Sequence, residues 1–291
     1  MYHGETERGT SGGTELILSS GYARQEPIEI LKSAIEEYRP VAIFAGFSGG
    51  HDSLVSTDWT MRNAPTLTDA PVRALHINTG IGIEATRKFV RDICKQRGWP
   101  LWERHANKGE YESFVKAHGF PGPAQHARMY QRLKERVVAA ILREVKSHRM
   151  DKVMFVTGIY AAESRIRSGY QRAVSKMGAA IWVNPLYWKE KAWFDEYRKE
   201  HSLPINPVKE LYGHSGECLC GAFADHSEAA LLKRHFPADY AEIERLEKLA
   251  ADNGKPWKWG DSGPTQDYLD EQQGQSFFDF RPMCHGCGKS A

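Results

Sequence analysis

The sequence predicts an α/β protein: a doubly wound parallel sheet, followed by a small C-terminal cysteine-rich segment that binds a metal. Three observations carry that expectation. Short, nearly continuous apolar runs alternate with segments of helical period, the pattern of parallel strands covered on both faces. The first run, Val41 to Phe47, leads directly into Ser48-Gly-Gly-His-Asp-Ser53 and then a helix. Four of the five cysteines stand in two close pairs, Cys218/Cys220 and Cys284/Cys287.

The elements follow in order. Residues 1–25 are polar and glycine-rich and read as a mobile leader, unlike a secretory signal. The nucleotide-binding domain is expected over 26–211. It begins with Ile28, Ile30, Leu31, Ile35 and Tyr38 near helical spacing and Pro40 at the entry to the first strand. A helix over Leu54 to Met61 ends at Asn63-Ala-Pro65. Val72 to Asn78 is the second strand. Glu84 to Arg97 is a helix closed by Gly98, and Pro100 to His105 is the third strand. Residues 125–147 form the longest helix, with Met129, Leu133, Val137, Ile141 and Val145 in a core-facing stripe. Lys152 to Thr157 is the fourth strand, and Lys189 to His201 a helix stopped at Leu203-Pro204. From residue 212 to 291 the texture changes: glycines surround the first cysteine pair, and two short helices split at Pro237. Ile243, Leu246 and Ala250 share one face of the second, and the last cysteine pair follows an irregular stretch.

Composition excludes several classes. With 26% charged residues, 41% hydrophobic ones and a net charge of +2, no global field argues for indiscriminate nucleic-acid binding. No stretch approaches the roughly 20 apolar residues of a membrane helix, so a cytoplasmic location without a membrane partner is expected. Paired thiols in that compartment point to a metal rather than to disulfides. Cys218, Cys220, Cys284 and Cys287 satisfy tetrahedral zinc or the corners of a 4Fe–4S cluster equally well, and spacing does not decide between them. Cys94 lies on an apolar helix side and reads as a buried inert thiol. His214, His226 and His285 read as supporting or surface groups, and Trp182, Trp188, Trp193, Trp257 and Trp259 as core and loop anchors.

The Ser48–Ser53 segment has the order a pyrophosphate-holding loop requires. A strand delivers the chain to the sheet edge, and Ser48, Gly49 and Gly50 turn it without bulky side chains. The helix start near Asp52 then adds its positive end. Asp52 and Ser53 suit the cap or first turn. Ligands of open parallel sheets bind at strand carboxyl ends. The other ends carry Asn78-Thr79-Gly80, which are equally good turn formers, and Gly158. Glu163, Ser164, Arg165 and Arg167 come next, the arginines being either anion contacts or a solvated helix face.

Taken together, the Ser48–Ser53 loop, Leu75-His-Ile-Asn-Thr-Gly80 with Glu84, Thr157-Gly-Ile-Tyr-Ala-Ala-Glu-Ser-Arg165, Asn184-Pro185 and Leu203-Pro-Ile-Asn-Pro207 resemble a known family. They look like the phosphoadenosine phosphosulfate reductase family of PP-loop ATP pyrophosphatases, over about residues 40–221. The resemblance implies an adenine nucleotide α hydrolase-like fold. Ser48, Gly49, Gly50, Asp52 and Ser53 would hold ATP phosphates, with His51 also in the nucleotide site, and Asn78, Thr79 and Gly80 would lie beside the adenosine. Gly158, Glu163, Ser164 and Arg165 would form the facing wall, and Arg167 is expected among the nucleotide-binding residues. His51 stands where many reductases have lysine. Asp52, Ser53 and Arg165 would act in catalysis, with Mg²⁺ on the departing pyrophosphate.

The resemblance also leans towards a 4Fe–4S cluster over zinc. Reductases use a cysteine on a C-terminal tail, and none is left over after Cys287. That combination is most like the iron–sulfur ATP pyrophosphatase subunits of DNA phosphorothioation systems. They adenylate a backbone oxygen for replacement by sulfur from a cysteine desulfurase, together with other modification subunits. A sulfonucleotide reductase, a tRNA-type thiolation enzyme and a non-catalytic nucleotide-binding subunit remain the alternatives.

Overall fold

The computed structural model describes residues 25–163 and 172–261, with residues 263, 264 and 269. The expected leader, all but Gln25, lies outside the described residues, as do Ser164, Arg165, Arg167, Cys284, His285 and Cys287.

Six strands form one sheet in the order β3-β2-β1-β4-β6-β5. They are β1 (Ala42–Gly46), β2 (Val72–Asn78), β3 (Leu101–His105), β4 (Val153–Val156), β5 (Val174–Met177) and β6 (Ala180–Val183). Every pairing is parallel except β5 with β6. The all-parallel expectation is therefore corrected at one edge. There a hairpin turning at Gly178 (φ +62°) adds β6 in parallel to β4 and leaves β5 outermost.

The helices are α1 (Pro27–Tyr38), α2 (His51–Asn63), α3 (Glu84–Arg97), α4 (Glu110–His118), α5 (His126–Tyr130), α6 (Arg136–Val145), α7 (Lys191–Glu200), α8 (Pro207–Tyr212), α9 (His226–His235) and α10 (Pro237–Asp252). The expected single helix over 125–147 is instead α5 and α6 joined through a π turn, Gln131–Glu135. Helices α4 and α8 are additions to the sequence reading.

Strand alternation divides the core in two. Ile43, Met154 and Ile181 point to the face covered by α1, α2, α3 and α7. Phe44, Phe155 and Ala180 point to the face covered by α4, α5, α6 and the C-terminal helices. Both faces are covered, so the sheet is doubly wound. The second cluster runs without a break into Leu219, Leu232, Ile243, Leu246 and Trp259. Among the described residues, no helix is long and apolar enough to cross a membrane.

Candidate functional site

Strand β1 is bonded to β2 on one side and β4 on the other, so connections leave it in opposite directions and a crevice opens between the carboxyl ends of β1 and β4. The loop after β1 lies there. Gly49 has φ +79°, and a Cβ on it would fall 2.6 Å from Thr86 Cγ2, so glycine alone fits. The serines shape the turn. Ser48 N donates to Ser53 Oγ (3.2 Å), and Ser53 Oγ donates to the Gly50 carbonyl (3.0 Å). Gly50 caps α2 without a side-chain acceptor, so the first-turn N–H groups of His51, Asp52 and Ser53 face outward as anion donors. Gly158, just past β4, packs against this turn: a Cβ there would collide with the Asp52 carbonyl.

Two buried asparagines hold backbone around the site, one of them the loop itself. Asn206 Nδ2 donates to the Gly49 carbonyl (3.0 Å) and to Thr86 Oγ1 (3.1 Å), while its Oδ1 accepts from Val208 N (3.0 Å). Asn184 accepts from Thr157 Oγ1 and donates to the Arg172 carbonyl. The Leu203–Pro207 and Asn184-Pro185 motifs thus hold backbone around the site. The sequence showed the motifs but not these tasks.

Asp52 carries the electrostatics. Its Oδ1 lies 2.8 Å from His51 Nδ1 and 3.0 Å from Lys191 Nζ. Burial works to raise the Asp52 carboxyl, but the hydrogen bonds from His51 and Lys191 outweigh it and hold the group below its ordinary range. His51 Nε2 is 3.1 Å from Asp195 Oδ1, within ion-pair distance though off-line for a hydrogen bond. Lys191 and Asp195 gave no sequence signal: their segment was legible as a helix and nothing more.

The cleft has a volume of about 590 Å³. Ser48, Gly50, His51, Asp52, Ser53 and Gly158 line one side, and Phe44, Phe155 and Trp182 its apolar floor. Lys134, Lys209, His214 and Glu217 line the far side, with Lys134 Nζ 2.9 Å from Glu217 Oε2. Strand β2 lines it through Leu75 and Ile77. Asn78, Thr79 and Gly80 sit at that strand's end in holding roles: Asn78 donates to Glu103 (3.0 Å) and accepts from Gly80 N (3.0 Å). Thr79 Oγ1 bonds the carbonyls of Ile81 and Glu217. Glu163 ends a short 3-10 turn after Gly158.

The first cysteine pair is brought alongside. Leu219 N donates to the Ile81 carbonyl (2.7 Å) and Ile83 N to the Gly216 carbonyl (2.8 Å), which ties residues 216–219 to the loop after β2. Tyr111 and Trp259 donate to the Cys220 and Leu219 carbonyls (2.9 and 2.8 Å). Cys218 and Cys220 line a cavity of about 310 Å³ whose wall includes Tyr130, Lys134 and His214, residues that also line the cleft. Each thiol acts on the other, which lowers Cys220 and raises Cys218. Such a pair fits half of a four-thiolate set. Among the described residues no group of three or more metal-binding side chains occurs.

Cys94 is 1% exposed, and burial pushes its thiol up to about 12, in keeping with an inert core residue. Trp257 and Trp259 are buried anchors, whereas Trp188 is largely exposed. His226 is exposed and faces Asp261 at 3.3 Å.

The fold and loop define a nucleotide-binding α/β protein of the PP-loop kind. The phosphoadenosine phosphosulfate reductase domain model matches residues 42–213, more than half of the chain, and the chain belongs to that family. No curated protein matches it. Among solved structures, it is similar to phosphoadenylyl-sulfate (PAPS) reductase from Candida auris in a phosphate complex, at 20% identity and a TM-score of 0.48, covering 66% of this chain and 87% of that one. Candida glabrata FMN adenylyltransferase in complex with ATP matches at 14% identity and a TM-score of 0.45, over 64% of this chain and 58% of that one. The NH3-dependent NAD synthetase of Campylobacter jejuni matches at 17% and 0.44, over 79% and 93%.

Proposed function

We propose that the chain is an ATP pyrophosphatase that adenylates a substrate oxygen for sulfur insertion, with the DNA backbone as acceptor. One observation carries the reading: the phosphate loop and the cysteine pair open into cavities that share Tyr130, Lys134 and His214. Adenylation makes oxygen a good leaving group, and sulfur chemistry would then have to occur beside it.

The chain's own part is electrostatic. Backbone N–H groups of the Gly49–Ser53 turn bind the β- and γ-phosphates and accept the charge that develops as pyrophosphate leaves. Asp52 would hold Mg²⁺, and the apolar floor of Phe44, Phe155 and Trp182 excludes water from the reacting end. Ser53 holds the turn, and Arg165 is assigned to offset phosphate charge. Cys218, Cys220, Cys284 and Cys287 would ligate a 4Fe–4S cluster, with zinc as the alternative; a cluster would supply sulfur-relay or clamping chemistry when bound. A cysteine desulfurase would deliver the sulfur, and further modification subunits would present the DNA.

The test is product analysis on anaerobically purified protein. ATP should yield AMP and pyrophosphate rather than ADP. Adenylyl sulfate with a thiol donor should release no sulfite. Sulfite at enzymatic rates would replace this reading with sulfonucleotide reduction, the alternative that the family match favours. In cells, gene deletion should remove phosphorothioate linkages. Intact linkages with loss of thiolated tRNA would move the acceptor.

A further inference from the structure

Helices α2 and α7 both begin beside the phosphate loop, at His51 and Lys191. A lysine in the first position of a helix opposes the macrodipole, which favours anions there. The first turn of α7 holds no acidic residue that would explain it locally, and Asp195, one turn on, is 3.8 Å from Lys191 Nζ. The nearer anion is Asp52, at 3.0 Å. Lys191 thus gives up local helix stability to place its charge at the loop, a departure from local preference expected at functional sites.

His51 and Lys191 differ in freedom. The His51 side chain is 9% exposed and lies between Asp52 and Asp195, so it is fixed. Lys191 is 46% exposed on a four-carbon stem and can redirect its ammonium by rotamer changes alone. Both side chains reach the same oxygen, Asp52 Oδ1, and Lys191 Nζ also lies 3.0 Å from His51 Nδ1, so the ammonium is the mobile charge of the three. A divalent cation brought in with nucleotide phosphates competes with Lys191 for that carboxylate, and the phosphates offer the displaced ammonium a new anion at the same place.

We propose that Lys191 is the transferable cation of the phosphate site. It neutralises Asp52 when no nucleotide is bound, and turns to the β- or γ-phosphate once Mg²⁺ takes Asp52. This rests on the phosphate-site reading above and adds to it a phosphate-binding residue from outside the loop.

Calorimetric titration with pyrophosphate over a range of Mg²⁺ concentrations tests it without turnover. Lys191→Gln should weaken pyrophosphate binding about tenfold or more, the effect of losing one charge-assisted hydrogen bond. The same variant should need less Mg²⁺ for half-saturation, because Asp52 has lost its competitor. Lys191→Arg should restore most of the affinity. A purely structural lysine would weaken pyrophosphate and Mg²⁺ binding together and lower the melting temperature, which would overturn the proposal. Wild-type affinity in Lys191→Gln would overturn it alone, whereas wild-type protein that binds no pyrophosphate would remove the phosphate site beneath it.

Discussion

A methyl group at Gly158 would lie 2.8 Å from the Asp52 carbonyl carbon and 3.1 Å from Ser53 N. Both neighbours are backbone, so neither can rotate away. Gly158→Ala should therefore shift the first turn of α2 and cost about 1–3 kcal/mol in overpacking. Pyrophosphate affinity should fall further than stability does, because the displaced turn is the proposed anion site. Chemical denaturation and calorimetry on one preparation check this; normal binding by the variant would mean that the turn tolerates displacement. Glu103 gives a residue-scale expectation in pH. Hydrogen bonds from Arg91, and then from Asn78, outweigh burial and take its carboxyl from 4.5 to about 2. A depressed carboxyl stabilises the fold above its unfolded value and loses that contribution as pH falls through the folded one. The loss should occur between about pH 4.5 and 2, and Glu103→Gln should flatten the stability curve in that window. An unchanged acid limb in Glu103→Gln would show that the pair with Arg91 carries no stability.

At the scale of elements, Asn206 links α8, α3 and the loop through one carboxamide. Asn206→Ala leaves the Gly49 carbonyl without its donor, at about 1–3 kcal/mol for an orphaned buried group. Nucleotide affinity should drop with stability, and Asn206→Asp should do no better because an acid repels that carbonyl. Equal pyrophosphate binding by all three proteins would separate Asn206 from the loop. Such links explain what the sequence could and could not reveal. The loop was legible because strand, glycines and helix start are contiguous, and β1 to β4 were legible as apolar runs with Gly or Pro at their ends. Lys191 and Asn206 reach the loop from 139 and 157 residues away, and no local pattern encodes such a meeting. The β5–β6 hairpin escaped because its outer strand, Val-Ser-Lys-Met, lacks the continuous apolar run that revealed β4, and four residues are too few for an alternation to show instead. The π turn did leave a trace. Met129, Leu133, Val137 and Ile141 recur every four residues, a period longer than the 3.6 of an α-helix. The wider turn at Gln131–Glu135 absorbs the drift and keeps the stripe on the core.

For the whole molecule, the question is whether the cysteine-bearing part folds by itself. Its texture led the sequence reading to place a boundary at residue 212, but the apolar cluster crosses that line, joining Phe44 and Leu75 to Leu232, Ile243 and Trp259. Polar contacts cross it as well: Glu84 N donates to Asp239 Oδ1 (3.0 Å), and Arg245 bonds Glu112 (2.8 Å). A segment that shares its core has no separate interior to melt, so residues up to 261 should unfold with the sheet in one step. Ile243, fully buried on α10, tests this far from the loop. Ile243→Ala should destabilise the protein by about 2–5 kcal/mol. Far-UV circular dichroism and tryptophan fluorescence should shift together, because Trp102 and Trp182 sit on the sheet while Trp257 and Trp259 sit on the C-terminal side. Pyrophosphate binding should survive until that common transition and vanish with it, since the turn proposed to bind phosphate is tied through Thr86 to Ser215 in the same cooperative unit. An early fluorescence transition with the dichroism and pyrophosphate affinity still intact would instead restore the boundary at 212 and make the cysteine segment a separable module.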